Sequence, residues 1–166
     1  MHRFYWLIDG AIAGCSLPGG SRSPGSQTDG SEHSEAMTSD LSQLRREGIG
    51  AILSLTEDPL PADILVREQF EILHLPVPDM AAPTPDQLCA ALDFIDISRS
   101  RGLGVAVHCL MGQGRTGTIL AAYLIRSGVP VTDAIARLRS VCPGALSSPP
   151  QESALAAFQE RRDWML

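Results

Sequence analysis

A cysteine and an arginine stand at the two ends of a short loop that contains two glycines. Between Cys109 and Arg115 lie five residues without a charged side chain: Leu110, Met111, Gly112, Gln113 and Gly114. Glycine permits the backbone angles that let successive amide N–H groups point toward one centre. An arginine binds a tetrahedral oxyanion through two parallel hydrogen bonds. The spacing therefore predicts an anion-binding loop, with these residues as its contacts and a nucleophilic thiol beside them.

The segments on both sides of this loop indicate how it is presented. Residues 103–107 predict a short buried strand, and residues 116–127 predict an apolar helix. The loop would then open a helix, whose N-terminus carries unpaired N–H groups and a partial positive charge. This field favours a thiolate at Cys109, and a thiolate below a bound phosphate is placed for in-line attack on phosphorus. We expect a covalent phosphocysteine, with the hydroxyl of Thr116 donating to the sulfur when it leaves.

Cysteine, five residues, arginine and threonine, with His108 before them and Gly117 after, resemble the signature of the cysteine-dependent protein phosphatases. The string HCLMGQGRTGT resembles the atypical dual-specificity phosphatases in particular. Further matches lie at residues 6–14, 53–57, 75–79 and 85–87. The resemblance implies hydrolysis of phosphotyrosine, and also of phosphoserine or phosphothreonine, through a phosphocysteine and without a metal or other cofactor.

The same resemblance implies that Asp79 protonates the leaving group. An alkoxide leaves poorly without a proton, so this chemistry needs an acid. Asp79 stands between Pro78 and Pro83 after an apolar run, which predicts a stiff exposed loop; the alternative is a simple turn aspartate. Asp86, the nearest rival, belongs to a predicted helix-capping box instead. Glu57 and Asp58 are expected to hydrogen-bond loop amides or to face water.

Two further residues take roles from the resemblance. His108 is expected to order the loop and to tune the thiolate, although a buried structural histidine is the alternative. Gln151 resembles a position at which related enzymes hold a glutamine that orients water. Cys15, Cys89 and Cys142 lack metal-ligand spacing, so they are expected to be structural thiols, with a protective disulfide to Cys109 as the alternative for Cys89 or Cys142.

Length and charge limit the classes of partner. A chain of 166 residues fits one catalytic domain. Its net charge of −6 argues against nucleic acid or an anionic membrane as the main partner. The apolar segment 4–8 is too short to span a membrane. We expect a cytoplasmic monomer whose partner is a phosphorylated protein or peptide.

Two alternatives to a protein phosphatase remain open. The substrate could be an inositol phosphate or another small phosphate, although the loop carries no lysine that would favour inositol lipids. The chain could instead be a catalytically weak module that binds phosphoresidues. Cys109, Arg115, Thr116 and Asp79 together weigh against such a module, because binding alone needs no acid.

The pattern of elements predicts an α/β fold with a central mixed, mainly parallel sheet flanked by helices. A nucleophile at the carboxyl end of a central strand is where open α/β sheets bind ligands. A Ser/Gly-rich segment at about 16–37 predicts a flexible loop. Strands are expected at 4–8, 11–14, 51–55, 72–77 and 103–107, and helices at about 39–47, 85–99, 116–127, 133–141 and 150–163.

Overall fold

A five-stranded sheet forms the centre of the molecule in a computed structural model, which describes residues 1–20 and 30–164. The strands are β1 (Phe4–Ile8), β2 (Ile12–Cys15), β3 (Ile49–Ser54), β4 (Glu71–His74) and β5 (Gly104–His108). Their order across the sheet is β1-β2-β5-β3-β4. Only β1 and β2 pair antiparallel, and the other three pairings are parallel. The predicted mixed, mainly parallel sheet is confirmed.

Six helices complete the described part of the chain. They are α1 (Gly30–Arg46), α2 (Ala62–Arg67), α3 (Pro85–Ser100), α4 (Gly114–Arg126), α5 (Val131–Val141) and α6 (Pro149–Trp164). No helix among the described residues is both long and apolar enough to cross a membrane.

The two faces of the sheet pack against different helices. On β5, Val105 and Val107 belong to the cluster that includes apolar residues of α3, α4, α5 and α6. Ala106 between them belongs to the second cluster, with Met37 and Leu41 of α1 and apolar residues of α2. Because side chains alternate along a strand, β5 contributes to both cores. It pairs with β2 on one side and β3 on the other, so the structure fixes its carboxyl end firmly.

Helix α1 corrects the prediction for residues 16–37. The helix begins at Gly30, so residues 30–37 are helical and not part of a flexible loop, while residues 21–29 lie outside the described part of the chain. Met37, Leu41 and Leu44 recur at helical spacing and are almost fully buried. The first two turns contain no such period, and they are helical because this apolar face docks the rest of α1.

The capping box predicted at the start of α3 is confirmed. Thr84 Oγ1 accepts a hydrogen bond from the amide of Gln87, and the Gln87 side chain accepts one from the amide of Thr84. Pro85 takes the first helical position. Asp86 therefore lies in the first turn, where its charge favours the helix dipole. Helix α2 escapes prediction because six residues are too few to show a helical period.

Candidate active site

The loop between β5 and α4 holds its carbonyl groups outward. The amide of Leu17 donates to Leu110 O at 3.1 Å. The hydroxyl of Tyr5 donates to Gly112 O at 2.9 Å, and the guanidinium of Arg3 donates to Met111 O. None of the amides of residues 110–113 donates a hydrogen bond to another described residue. The loop thus keeps N–H donors available beside the N-terminus of α4, as an anion site requires.

Both glycines of this loop stand where a larger residue would collide. Gly112 has φ of 70°, and a Cβ there would lie 2.5 Å from the carbonyl carbon of Cys15. A Cβ on Gly114 would lie 2.5 Å from Ser147 Oγ. The curl of the loop therefore requires glycine at position 112, for both conformation and packing against backbone, whereas a side chain at position 114 would have to displace the side chains of Ser147 and Gln151.

Arg115 joins the predicted nucleophile loop to the predicted acid loop. Its side chain is only 5% exposed. Its Nη1 donates to Val77 O at 2.8 Å, and its Nη2 lies 3.0 Å from Asp79 Oδ1. The Asp79 side chain is 68% exposed. Two residues 36 positions apart in sequence are therefore adjacent in space, with the cation buried and the carboxylate facing solvent.

Glu57 and Met80 fix the backbone around Asp79. The amide of Asp79 donates to Glu57 Oε1 at 3.1 Å, which is the amide-binding alternative expected for Glu57. The amide of Met80 donates to Asp79 Oδ1 at 3.0 Å, and Met80 has φ of 60°, uncommon for a residue other than glycine. The Met80 amide and Arg115 thus hold the same carboxylate oxygen of Asp79 at the loop of Cys109.

The segment before and within α6 holds the acid loop from its other side. Ser148 Oγ donates to Met80 O at 2.8 Å, and Gln151 Nε2 donates to Ala81 O at 3.2 Å. Gln151 is 1% exposed, and its Oε1 has no hydrogen-bond partner among the described residues. The role of Ser148 escaped the sequence analysis, because a serine 68 positions from its partner leaves no local pattern.

Three of these side chains border a common cavity. Cys109, which is 3% exposed, lies with Asp79 and Arg115 around a space of about 210 Å³. Of the predicted contact residues, Gly112 is not in its lining; it packs against Cys15. The other predicted contact residues do line the cavity, and they are Leu110, Met111, Gln113, Gly114 and Arg115. Met80, Ser147 and Gln151 complete the lining.

His108 and Thr116 lie in the protein interior behind this cavity. His108 is fully buried, and desolvation lowers its pKa from the ordinary 6.5 to about 4. Its Nδ1 lies 3.4 Å from Cys109 O, a contact in which the ring nitrogen donates. Thr116 is also fully buried, and its Oγ1 has no hydrogen-bond partner among the described residues. The predicted bond from Thr116 to the Cys109 sulfur is therefore not formed in the structure.

The remaining cysteines are unpaired. Cys15 and Cys142 are buried and Cys89 is exposed, and all are free thiols. Burial raises the pKa of Cys15 and that of Cys142. Both thus remain protonated near neutral pH and pack as small apolar groups, as expected for structural thiols. The expectation was wrong for Cys89, which is exposed.

Comparison with known proteins identifies the class to which this fold and site belong. The family model described as "Polymorphic toxin system, DSP-PTPase phosphatase" matches residues 27–129, well over half of the chain. The protein therefore belongs to the DSP-PTPase phosphatase family.

Curated relatives carry names from two kinds of phosphatase. Phosphatidylglycerophosphate phosphatase PTPMT2 of Arabidopsis thaliana is 30% identical over 127 residues, which cover 72% of this chain and 54% of that protein. Dual specificity protein phosphatase 15 of Homo sapiens is 30% identical over 121 residues, which cover 72% of this chain and 40% of that protein. The chain thus spans about half the length, or less, of these two relatives.

Solved structures agree with the fold. Tk-PTP in its active form superimposes with a TM-score of 0.76 at 30% identity, over 95% of this chain and 97% of that one. PTPMT1 in complex with PI(5)P superimposes with a TM-score of 0.77 at 22% identity, over 98% of this chain and 99% of that one. The second likeness shows a shared fold.

Proposed function

We propose that the protein is a cysteine-dependent phosphatase that hydrolyses phosphotyrosine in phosphorylated proteins, and phosphoserine or phosphothreonine more slowly. The observation that carries this proposal is the single cavity bordered by Cys109, Arg115 and Asp79. A nucleophile, an anion-binding fork and a proton donor are the groups that phosphomonoester hydrolysis through a covalent intermediate requires.

The first step transfers the phosphoryl group to sulfur. The Cys109 thiolate attacks phosphorus while the loop amides and Arg115 bind the non-bridging oxygens. The bond between phosphorus and the bridging oxygen breaks, and that oxygen takes a proton from Asp79. The dephosphorylated side chain leaves, and phosphocysteine remains. Phenolate leaves more readily than alkoxide, so phosphotyrosine depends less on the proton from Asp79.

The second step returns the enzyme to its starting form. Water attacks the phosphorus of phosphocysteine, Asp79 takes its proton, and the Cys109 thiolate leaves. Gln151 suits the positioning of this water, because its Oε1 is buried, unpartnered and at the cavity. Thr116 has a buried, unpartnered hydroxyl, and we propose that a rotation brings it to the departing sulfur as a donor.

Substrate binding must exchange the partner of Arg115. The guanidinium is paired with Asp79 through Nη2, whereas its Nη1 is already committed to Val77 O. A dianionic phosphate above Cys109 offers stronger charge-assisted hydrogen bonds than one solvent-exposed carboxylate. We propose that it displaces Asp79 from Arg115, which frees the exposed carboxylate to take up a proton from solvent and to face the bridging oxygen as an acid.

The lining of the cavity favours an aromatic phosphate. Arg115 is the only lysine or arginine among the described residues that line it, so a second phosphate group would find no cation there. Met80 and Met111 are 51% and 54% exposed. Thioethers contact aromatic rings favourably, and these two suit the ring of phosphotyrosine. We also propose that the protein is a monomer. We further propose a reducing, cytoplasmic environment, since the nucleophile must stay a free thiol.

The test compares substrates and cysteine variants without added metal and with reductant. A phosphotyrosine peptide, a phosphothreonine peptide, a soluble inositol phosphate and a phosphatidylglycerophosphate vesicle are offered to wild-type, Cys109→Ser and Cys89→Ser proteins. Cys89 is an exposed free thiol on α3 that does not line the cavity of Cys109, so its variant is the matched control. We expect the highest kcat/KM for the tyrosine peptide, its loss in Cys109→Ser, and wild-type rates in Cys89→Ser.

Other outcomes would point elsewhere. A clear preference for the inositol phosphate or the vesicle would replace the protein substrate with a small phosphate or a phospholipid. Turnover that survives in Cys109→Ser would refute the phosphocysteine. Phosphopeptide binding without turnover in the wild type would make the protein a phosphoresidue-binding module.

A further inference from the structure

A second cavity adjoins the cavity that contains Cys109, and the Asp79–Arg115 pair lies between them. Its volume is about 460 Å³, within the range of about 300–1,000 Å³ typical of ligand pockets. Asp79, Leu110 and Arg115 line both cavities. A phosphorylated side chain that reaches Cys109 therefore brings its neighbouring residues to the mouth of the second cavity.

Helix α1 forms one wall of this second cavity. His33 and Met37 lie one helical turn apart and both line it. Asp40, one turn further on, accepts a hydrogen bond from the amide of Gly19 at 2.8 Å and pairs with the amino group of Met1 at 2.5 Å. Packing of Gly19 is close, because a Cβ there would lie 3.1 Å from Met37 Cβ. These contacts hold the wall in place.

The segment that follows β3 in sequence forms another wall and carries two carboxylates. Thr56 O accepts a hydrogen bond from His74 Nε2 at 2.8 Å, and Thr56 Oγ1 donates to Asp58 O at 2.8 Å. These bonds fix the segment from which Glu57 and Asp58 project. Asp58 is exposed, and its carboxylate forms no ion pair with any residue in the described ranges.

Charge and apolar surface together select a type of ligand. Leu17, Met37 and Leu60 supply apolar walls, while Glu57 and Asp58 supply negative charge. Arg115 is the only lysine or arginine in the described lining, and it is already paired with Asp79. A second phosphate or an acidic side chain would be repelled. A lysine or arginine fits, because its aliphatic stem packs on apolar surface while its charged end reaches a carboxylate.

We propose that this cavity, which we term the acidic subsite, binds a lysine or arginine next to the phosphoresidue of a peptide substrate. The inference rests on the proposed phosphatase function and adds a sequence preference to it. Asp58 and Glu57 hold the basic side chain, and the wall formed by His33 and Met37 covers its stem.

The experiment uses three phosphotyrosine peptides that differ only in the residues flanking phosphotyrosine, which are arginine, alanine or glutamate. We expect kcat/KM to fall from the arginine to the alanine to the glutamate peptide. An exposed ion pair changes affinity by about threefold, so the arginine and glutamate peptides should differ by about tenfold. Salt at high concentration should reduce this ratio, because it screens exposed charges.

Substitutions of exposed carboxylates test which residue causes the preference for the arginine peptide. Asp58→Asn should lower the arginine-to-glutamate ratio by about threefold, and Asp58→Lys, which leaves Glu57 opposite a new cation, should bring the ratio to about one. Asp9→Asn is the matched control, since Asp9 is an exposed carboxylate in the β1–β2 turn, at the opposite end of the sheet. It should keep the wild-type ratio.

Failure of the subsite can be told apart from failure of the proposed function. Equal kcat/KM for the three peptides, with Cys109-dependent hydrolysis of all of them, would overturn the acidic subsite alone. A ratio unchanged by Asp58→Lys would do the same. No hydrolysis of any peptide or of para-nitrophenyl phosphate would instead overturn the phosphatase proposal.

Discussion

The loop of Cys109 and the loop of Asp79 meet at Arg115 but are held in different ways. The first is built into the chain as the connection between a fully buried strand and an almost fully buried helix. The second is an exposed connection between β4 and α3, held by side chains from other elements: Glu57, Arg115, Ser148 and Gln151. The anion site is thus rigid because it joins two buried elements, whereas a set of separate hydrogen bonds holds the acid in place.

This difference separates two kinds of catalytic demand. The phosphoryl group must be held in one place through both chemical steps, and buried backbone provides that preorganisation. The acid must exchange a proton with the leaving group and then with water, which favours an exposed carboxylate on a separate loop. Variants that affect one loop should therefore change different kinetic parameters from variants that affect the other.

Arg115→Lys should have the largest effect, because Arg115 serves both loops. Lysine supplies a charge but not a planar fork, and it would lose the bond to Val77 O. We expect kcat/KM to fall about a thousandfold for aryl and alkyl phosphates alike, with weaker inhibition by inorganic phosphate. Steady-state kinetics with both substrates measure this. Arg126→Lys, at the other end of α4, is the control, and unchanged phosphate inhibition in Arg115→Lys would contradict the assigned role.

Asp79→Asn should distinguish the role of the acid loop from that of the anion site. Asparagine keeps the shape of aspartate but provides no proton, so alkyl phosphates should slow by about a hundredfold. Aryl phosphates, whose leaving group is more acidic, should slow by about tenfold or less. Phosphate inhibition should stay near the wild-type value. Asp86→Asn, in the first turn of α3, is the control. Equal slowing of both substrates by Asp79→Asn would indicate a different acid.

The two loops also differ in how far the sequence predicts them. Cys109 and Arg115 are six positions apart, so their spacing carries the geometry of the anion site. The bonds that place Asp79 join residues 22 to 70 positions apart. Nothing in the local sequence of Ser148 indicates its contact with Met80. The position of Asp79 could be predicted only through a family resemblance. Of its supports, the sequence offered only Glu57, as one of two alternatives.

The same physical reason applies to the fold. The strands are short apolar runs and helices α4 and α5 have clear apolar periods. The predicted positions of the five strands and of α3 to α6 agree with the structure to within a few residues. The first turns of α1 have no apolar period of their own and become helical through the docking of Met37 and Leu41. Tertiary packing, which a local pattern does not contain, decides such segments.

His108, which precedes the nucleophile, should make the stability of the folded protein sensitive to acid. Its pKa is about 4 in the folded protein and about 6.5 in an unfolded chain. Between these values the unfolded chain binds a proton that the folded protein does not, so stability falls as pH falls from about 6.5 to 4. The loss amounts to about 3 kcal/mol.

Denaturant unfolding at pH 7 and pH 4 measures this loss. The free energy of unfolding should fall by about 3 kcal/mol more in the wild type than in His108→Gln, which has no titratable group at position 108. His33→Gln, on α1, is the control and should behave as the wild type does. An equal fall in the wild type and in His108→Gln would mean that His108 does not remain neutral in the folded protein.

Ser148→Ala should have the smallest effect and tests whether the acid loop is placed by separate bonds. The variant removes the donor to Met80 O, while Glu57, Arg115 and Gln151 still hold the loop. One hydrogen bond contributes about 1 kcal/mol, so hydrolysis of alkyl phosphates should slow by about fivefold, with little change for aryl phosphates or for phosphate inhibition. Ser140→Ala, on α5, is the control. If Ser148→Ala instead weakened phosphate inhibition as strongly as it slowed alkyl phosphates, the two loops would form one unit, and their separate support would have to be abandoned.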